Sequence, residues 1–319
     1  MLQLFDPMIR MILAAIALAT LLPVSGAAKD AAQAVSNTAV FTLFLLHGLK
    51  LERAEVVAGL GNVRLIVPLV LWVFGIMAMG GWSLWHITAD ALPPTIALGF
   101  LYLGCLPSTV QAAVSYSSLA GGNRAASVVV AALTNIMGVF ITAPLFSLLA
   151  GSHGAAFHSD TLVKVFGLLV VPFVLGQWAQ KHVGGWVKTN RTLVNWLDRG
   201  AISIAIYVGF SGAVTQGLWH KLDPSAWGTV LAACAALLML GYGGTWLLGR
   251  ALSLSREDRI TLLYGGAHKS AAMGVPLAAV LFPAVSAGAI IVPLLAYHLS
   301  QLIVAAPIAA KLAGNRPDA

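Results

Sequence analysis

The chain has 319 residues, of which 59% are hydrophobic and only 9% charged, with a mean hydropathy of +0.88. A soluble domain carries roughly one quarter charged residues, so a soluble globule is excluded and a polytopic membrane protein remains. The net charge of +7 does not mark a nucleic-acid binder, because Lys and Arg stand singly between apolar runs and form neither patch nor stripe.

Runs of about 17 to 25 residues are long enough to cross a bilayer. They fall near 8–25, 33–49, 63–83, 92–119, 124–150, 161–181, 198–218, 226–249, 259–282 and 286–311. The polar intervals between them, near 151–160 and 181–199, are loop-sized, so no separate soluble domain fits. The first run imitates a signal peptide, with Arg10, an apolar stretch over 11–22 and then Gly26-Ala27-Ala28. The ten-segment topology requires it as a helix. The second run is short and carries Gln33, Ser36, Asn37 and Thr38, which blurs its ends.

Lys and Arg test this count, since cytoplasmic loops are enriched in them. With the N-terminus inside, 14 of the 18 fall on the cytoplasmic side, 3 (Lys29, Lys164 and Lys221) on the other, and Lys269 within the membrane. Both termini are therefore expected in the cytoplasm. Trp82, Trp85, Trp178, Trp186, Trp196, Trp219, Trp227 and Trp246 cluster at segment ends, as interfacial belt residues do. Cys105 and Cys234 lie inside apolar runs and form neither a disulfide framework nor a metal spacing.

Ten segments split into 1–150 and 151–319, two sets of five, and an odd number per set forces the second to insert upside down. Inverted repeats of this kind are a common plan of secondary transporters, whose binding sites sit at paired, interrupted helices. The pair is present. Gly104-Cys105-Leu106-Pro107-Ser108-Thr109 interrupts the fourth segment, and Gly265-Gly266-Ala267-His268-Lys269-Ser270 interrupts the ninth, with Tyr264 before it and Pro276 after it.

Lys269 lies about ten residues into its run, roughly 15 Å deep at 1.5 Å per residue. All eleven acidic residues fall in loops or at segment ends, so none reaches it. A lysine there either gives up its proton or is held by the carbonyls that a broken helix frees, which elsewhere coordinate Na⁺. His268 is either a proton relay or a hydrogen-bonded packing residue. Ser108, Thr109, Gln111, Ser115 and Ser117 place polar groups along the first break and its following half-helix. Asn123 is a cap for the fifth segment. Ser127 and Thr134, seven apart, share a face, and with Asn135 they are expected to turn toward the first break. No nucleophile elbow, phosphate loop, metal-ligand spacing or intramembrane carboxylate pair occurs, so no enzyme is expected.

At the two breaks, and at Gly121-Gly122-Asn123-Arg124-Ala125-Ala126-Ser127, the sequence resembles the bile acid:sodium symporter family, solute carrier family ten. Pro107-Ser108-Thr109-Val110-Gln111 and His268-Lys269-Ser270, with Gly274-Val275-Pro276, resemble the branch of its seventh member and bacterial homologues. The resemblance implies an all-α protein of ten transmembrane helices in two inverted five-helix repeats. A panel (about 8–49 and 161–218) would stand beside a core (about 63–150 and 226–311) in which the broken fourth and ninth helices cross, with substrate held between the two. It implies sodium-coupled movement of organic anions across a plasma or bacterial inner membrane.

The sodium ligands are largely absent. Ala112-Ala113 stand where sodium-binding members have Ser-Asn, and Tyr264 and His268 where they have Glu and Gln. Ser127 matches a ligand, but the next ligand position falls on Ala131. The expectation is thus a secondary transporter of an organic anion or small amphipathic solute, working by alternating access. It needs no cofactor or resident metal; the coupling ion is Na⁺ or H⁺, or Lys269 stands in for Na⁺. The other readings are a non-transporting regulator or receptor on the same fold, and a passive channel. Substrate and oligomeric state are not legible.

Overall fold

The computed structural model describes residues 7–50, 62–151, 164, 166–217 and 222–314. Asp6, Glu52, Arg53, Glu55, Asp160, Trp219, Lys221, Arg316 and Asp318 lie outside these residues. Every regular element among them is helical: α1 (Pro7–Leu21), α2 (Ala28–Lys50), α3 (Val63–Ile87), α4 (Pro94–Cys105), α5 (Gln111–Leu119), α6 (Arg124–Ala150), α7 (Val171–Thr189), α8 (Arg191–Val214), α9 (Pro224–Ala251), α10 (Arg256–Ala267), α11 (Ala271–Leu281), α12 (Ala284–Ile290) and α13 (Val292–Gly314). Among the described residues, six stretches are long and apolar enough to cross a membrane: α2, α3, α6, α8, α9 and the run Ala284–Gly314. The protein is an integral membrane protein.

The second predicted run starts five residues earlier, at Ala28, because its polar side chains close on their own helix. Gln33 donates to Asn37 (3.0 Å), and Thr38 and Thr42 donate one turn back to Ala34 O and Thr38 O. Polar groups bonded within the helix leave its outer surface fit for lipid.

The helices fall into two compact units. One comprises 1–52, 152–223 and 274–291. Its helices meet at glycines, as membrane helices do where small residues let backbones approach. Gly48 of α2 and Gly176 of α7 face each other so closely that a Cβ on either would lie 3.0 Å from the other's Cα. Beside them Gln177 Nε2 donates to Gly48 O (2.5 Å), and Lys50 pairs with Asp198 of α8. At its other end, Gln216 Nε2 donates to Val285 O (2.9 Å). The segment 274–291, read from sequence as part of the core run 226–311, groups here with this unit.

The second unit comprises 53–151, 224–273 and 292–319. Leu65, Ile66, Leu69 and Val73 of α3, Val129 and Val130 of α6 and Leu262 of α10 form its apolar centre. α3 and α4 pack through Gly81 and Gly104, where a Cβ on Gly104 would lie 2.6 Å from Met77 O. α3 and α9 each contain one π turn, Trp72–Ile76 and Leu240–Gly244, and a third, Phe166–Val170, leads into α7 of the first unit. A π turn bonds i to i+5, and one carbonyl drops out of the ladder where α geometry resumes. Gly75, and Gly241, Gly243 and Gly244, make these sequences permissive of the wider turn.

Candidate functional site

Both predicted breaks lie in the second unit. α4 stops at Cys105, and Leu106 is extended (φ −74°, ψ 151°). Proline at 107 disfavours helix for the preceding residue and supplies no amide. α10 stops at Ala267, and His268 is extended (φ −79°, ψ 144°) without any proline at the turn. What releases the chain there is Gln301 of α13: its Oε1 accepts from Lys269 N (2.8 Å) and its Nε2 donates to Lys269 O (3.1 Å). A side-chain amide thus takes both backbone groups that the helix would otherwise satisfy. Asn135 of α6 does the corresponding work at the first break, donating from Nδ2 to Ser108 O (3.0 Å). The two breaks touch directly, Ser270 N donating to Pro107 O (3.0 Å), and Ser270 Oγ then caps α11 by accepting from Met273 N (3.2 Å).

Lys269 is fully buried. Its Nζ donates to Val73 O (3.0 Å), Gly104 O (2.8 Å) and Leu106 O (2.7 Å). Gly104 and Leu106 supply carbonyls at the open C-terminal end of α4, the negative end of its dipole. Val73 lies in the π turn of α3. Met77 N bonds Trp72 O across that turn, and the neighbouring carbonyl of Val73 is turned to the lysine.

His268 is also fully buried and hydrogen-bonded at both ring nitrogens. Nδ1 meets Thr109 Oγ1 (3.2 Å) and Nε2 meets Tyr242 OH (2.8 Å). The tyrosine hydroxyl also lies 3.4 Å from Gln301 O. The oxygen of Thr109 also accepts from Ala113 N (3.1 Å). The ring thus bridges Thr109 at the first break and Tyr242, which reaches Gln301 of α13. Tyr116, Tyr242 and Tyr264 stand edge-on around it with centroids 5.7 to 6.0 Å away.

The other sequence candidates divide. Ser108 buries a hydroxyl that finds no partner among the described residues, while Gln111 and Ser115 are exposed on α5. Ser127 lies apart from the lysine, in a hydroxyl cluster with Ser117 (2.8 Å) and Thr261 (3.0 Å), and donates to Asn123 O (2.8 Å). Asn123 caps α6 through Ala126 N (3.0 Å). Thr134 shares the face of Ser127 but bonds back to Val130 O (2.9 Å). Gly265 and Gly266 leave room for Leu69, Thr245 and Trp72; a Cβ on Gly266 would lie 2.5 Å from Thr245 Cγ2. Pro276 lies within α11.

Sequence reasoning missed Gln301, Tyr242, Tyr297, whose hydroxyl donates to Ala267 O (2.6 Å), and the carbonyl of Val73. Gln301 left one signal, a lone amide in an apolar run.

An all-helical membrane chain whose buried polar groups gather where two helices break has the build of a transporter and not of an enzyme. The chain belongs to the SBF-like CPA transporter family, whose model matches residues 6–314. It is 37% identical over 309 residues to "Uncharacterized protein PA2026" of Pseudomonas aeruginosa, covering 97% of this chain and 93% of that one. It is 33% identical over 313 residues to "Putative symporter YfeH" of Escherichia coli, covering 96% and 92%. To "Sodium/bile acid cotransporter 7" of Mus musculus it is 24% identical over 278 residues, covering 84% and 80%. It is a transporter of the bile acid:sodium symporter kind, which handles a small molecule in a lipid setting.

Proposed function

We propose that the protein is a secondary transporter that moves an organic anion or small amphipathic solute by alternating access, with Lys269 in place of a coupling sodium ion. The observation that carries this reading is the buried lysine held by backbone carbonyls at two touching helix breaks. Lys269, His268, Ser270, Tyr264, Ser108, Thr109 and Asn135 are the proposed ion and substrate machinery, with Gln111, Ser127 and Thr134 beside it. Alanines at 112, 113 and 131 argue against the family's sodium ligands.

Ten membrane crossings as two inverted repeats, 1–150 and 151–319, with both termini cytoplasmic, complete the reading. Matching features in the two halves support it. Gly104-Cys105-Leu106-Pro107-Ser108 aligns with Gly266-Ala267-His268-Lys269-Ser270, so Pro107 and Lys269 are counterparts. α6 and α13 each lend a side-chain amide to a break, and α3 and α9 each carry a π turn. The two compact units are the proposed panel and core, with 274–291 reassigned to the panel.

The test is uptake of labelled organic anions into proteoliposomes under imposed Na⁺ or pH gradients. Saturable uptake that is indifferent to Na⁺ is the expected result. Uptake that requires a Na⁺ gradient would sink the lysine's role, and no uptake of any anion would sink the transporter reading.

A further inference from the structure

We infer that the carbonyl cage around Lys269 is a monovalent-cation site in its own right, one whose occupant is covalently tethered. The inference deepens the sodium-surrogate reading proposed above, but it is a statement about binding and can be tested without any flux.

The match of donors to acceptors comes first. An ammonium has three N–H donors, and Lys269 Nζ finds three carbonyl oxygens at 3.0, 2.8 and 2.7 Å. A neutral amine has only two, and would turn its lone pair on the third carbonyl. The cage is therefore made for a charged occupant.

The backbone alone builds this cage. Gly104 O and Leu106 O belong to the end of α4, where the dipole leaves about half a negative charge. Val73 O comes from the π turn of α3. All three acceptors are backbone atoms, and among the described residues no carboxylate takes part. Converging carbonyls at membrane depth are the oxygen donors that alkali ions use when they shed water. At the counterpart position of the other repeat stands Pro107, which carries no charge, and the carbonyls of α9's π turn are met instead by a neighbouring hydroxyl, Thr245 Oγ1 to Gly241 O at 2.6 Å. One half of the fold thus keeps a cation and the other does not.

Removing the side chain should uncover the site for a free ion. The experiment is thermal unfolding of the purified full-length protein in NaCl, KCl and n-butylammonium chloride, with choline chloride at equal ionic strength as baseline. The unaltered protein is expected to unfold at one temperature in all four salts. Lys269→Ala is expected to unfold earlier in choline and to regain stability saturably with butylammonium and with an alkali ion. The rise should be on the order of 3 °C at ten times Kd. A folded Lys269→Ala protein with the same Tm in every salt overturns the inference.

Should that variant fail to fold, acetic anhydride labelling of the native protein, read by mass spectrometry, decides. Protection of Lys269 at every NaCl concentration supports a tethered occupant. Ready acetylation of Lys269 in the folded protein without Na⁺ means that the amine is not held in the cage, and overturns it. Because no substrate enters, a negative result here leaves the transporter reading standing, and absent flux leaves this inference standing.

Discussion

Gln301 is the residue whose loss should be felt most widely. It bonds both backbone groups of Lys269 and also donates to His298 Nδ1 (2.9 Å), so its amide is fully used in a buried setting. Gln301→Leu leaves an amide and a carbonyl of Lys269 unpaired, at about 1 to 3 kcal/mol each. Denaturation of the purified variant should show a loss of about 3 kcal/mol or more, and a loss below about 1 kcal/mol would mean that the chain repairs the break another way. Thr109 offers a finer test. Thr109→Ser keeps the hydroxyl between Ala113 N and His268 Nδ1 and should be near neutral, whereas Thr109→Val removes it and should cost about 1 to 3 kcal/mol in the same assay. Lys269 and His268 were legible in the sequence because charge and imidazole are conspicuous in an apolar run. Their partners were not, because Val73, Gly104 and Leu106 act through backbone carbonyls that leave no mark in residue type.

At the scale of elements, the breaks were legible and their supports only partly so. Glycine, proline and polar residues inside runs otherwise long enough to span placed both interruptions to within a residue or two. The π turns of α3 and α9 were not legible, since 72–76 and 240–244 are as apolar as any helix interior and glycine alone does not specify a wider turn. Asn135 was expected to face the first break and its amide does reach Ser108 O, whereas Thr134, next to it, spends its hydroxyl on its own helix. The contact of α3 with α4 yields a prediction at this scale. Gly104→Ala would drive a methyl to 2.6 Å from Met77 O and 3.0 Å from Gly81 Cα, both on the backbone of α3, which has no flexible side chain to give way there. It should destabilise the protein by about 1 to 3 kcal/mol and, by shifting Gly104 O, lower activity in the proteoliposome assay more than Gly228→Ala, where a Cβ meets nothing within 4 Å.

For the whole molecule, composition and the periodic return of apolar runs were enough to establish a helical membrane protein, because a bilayer leaves the backbone few alternatives. The grouping of helices into two units was less accessible. The segment 274–291 follows Lys269 without a change of composition, and its membership is decided by the glycine-rich contact of α8 with α12, where a Cβ on Gly288 would lie 2.8 Å from Ala213 Cβ. The topology makes its own prediction. Cys105 and Cys234 are buried, so single cysteines introduced at exposed sites report cleanly. Lys188→Cys should react with a membrane-impermeant maleimide only after the inner face is opened, and Asp90→Cys should react in intact cells. Reversal of the two would invert the proposed orientation, and equal labelling would break the ten-crossing count.

The cage around Lys269 also has a mechanical meaning. It gathers α3, the end of α4 and the start of the second break at a single nitrogen atom, much as a rivet joins three plates. Parting any one plate would strand an ammonium proton and a carbonyl in a dry interior, a penalty of a few kcal/mol. That penalty favours these three elements moving together, and directs the bending of a transport cycle to other parts of the chain.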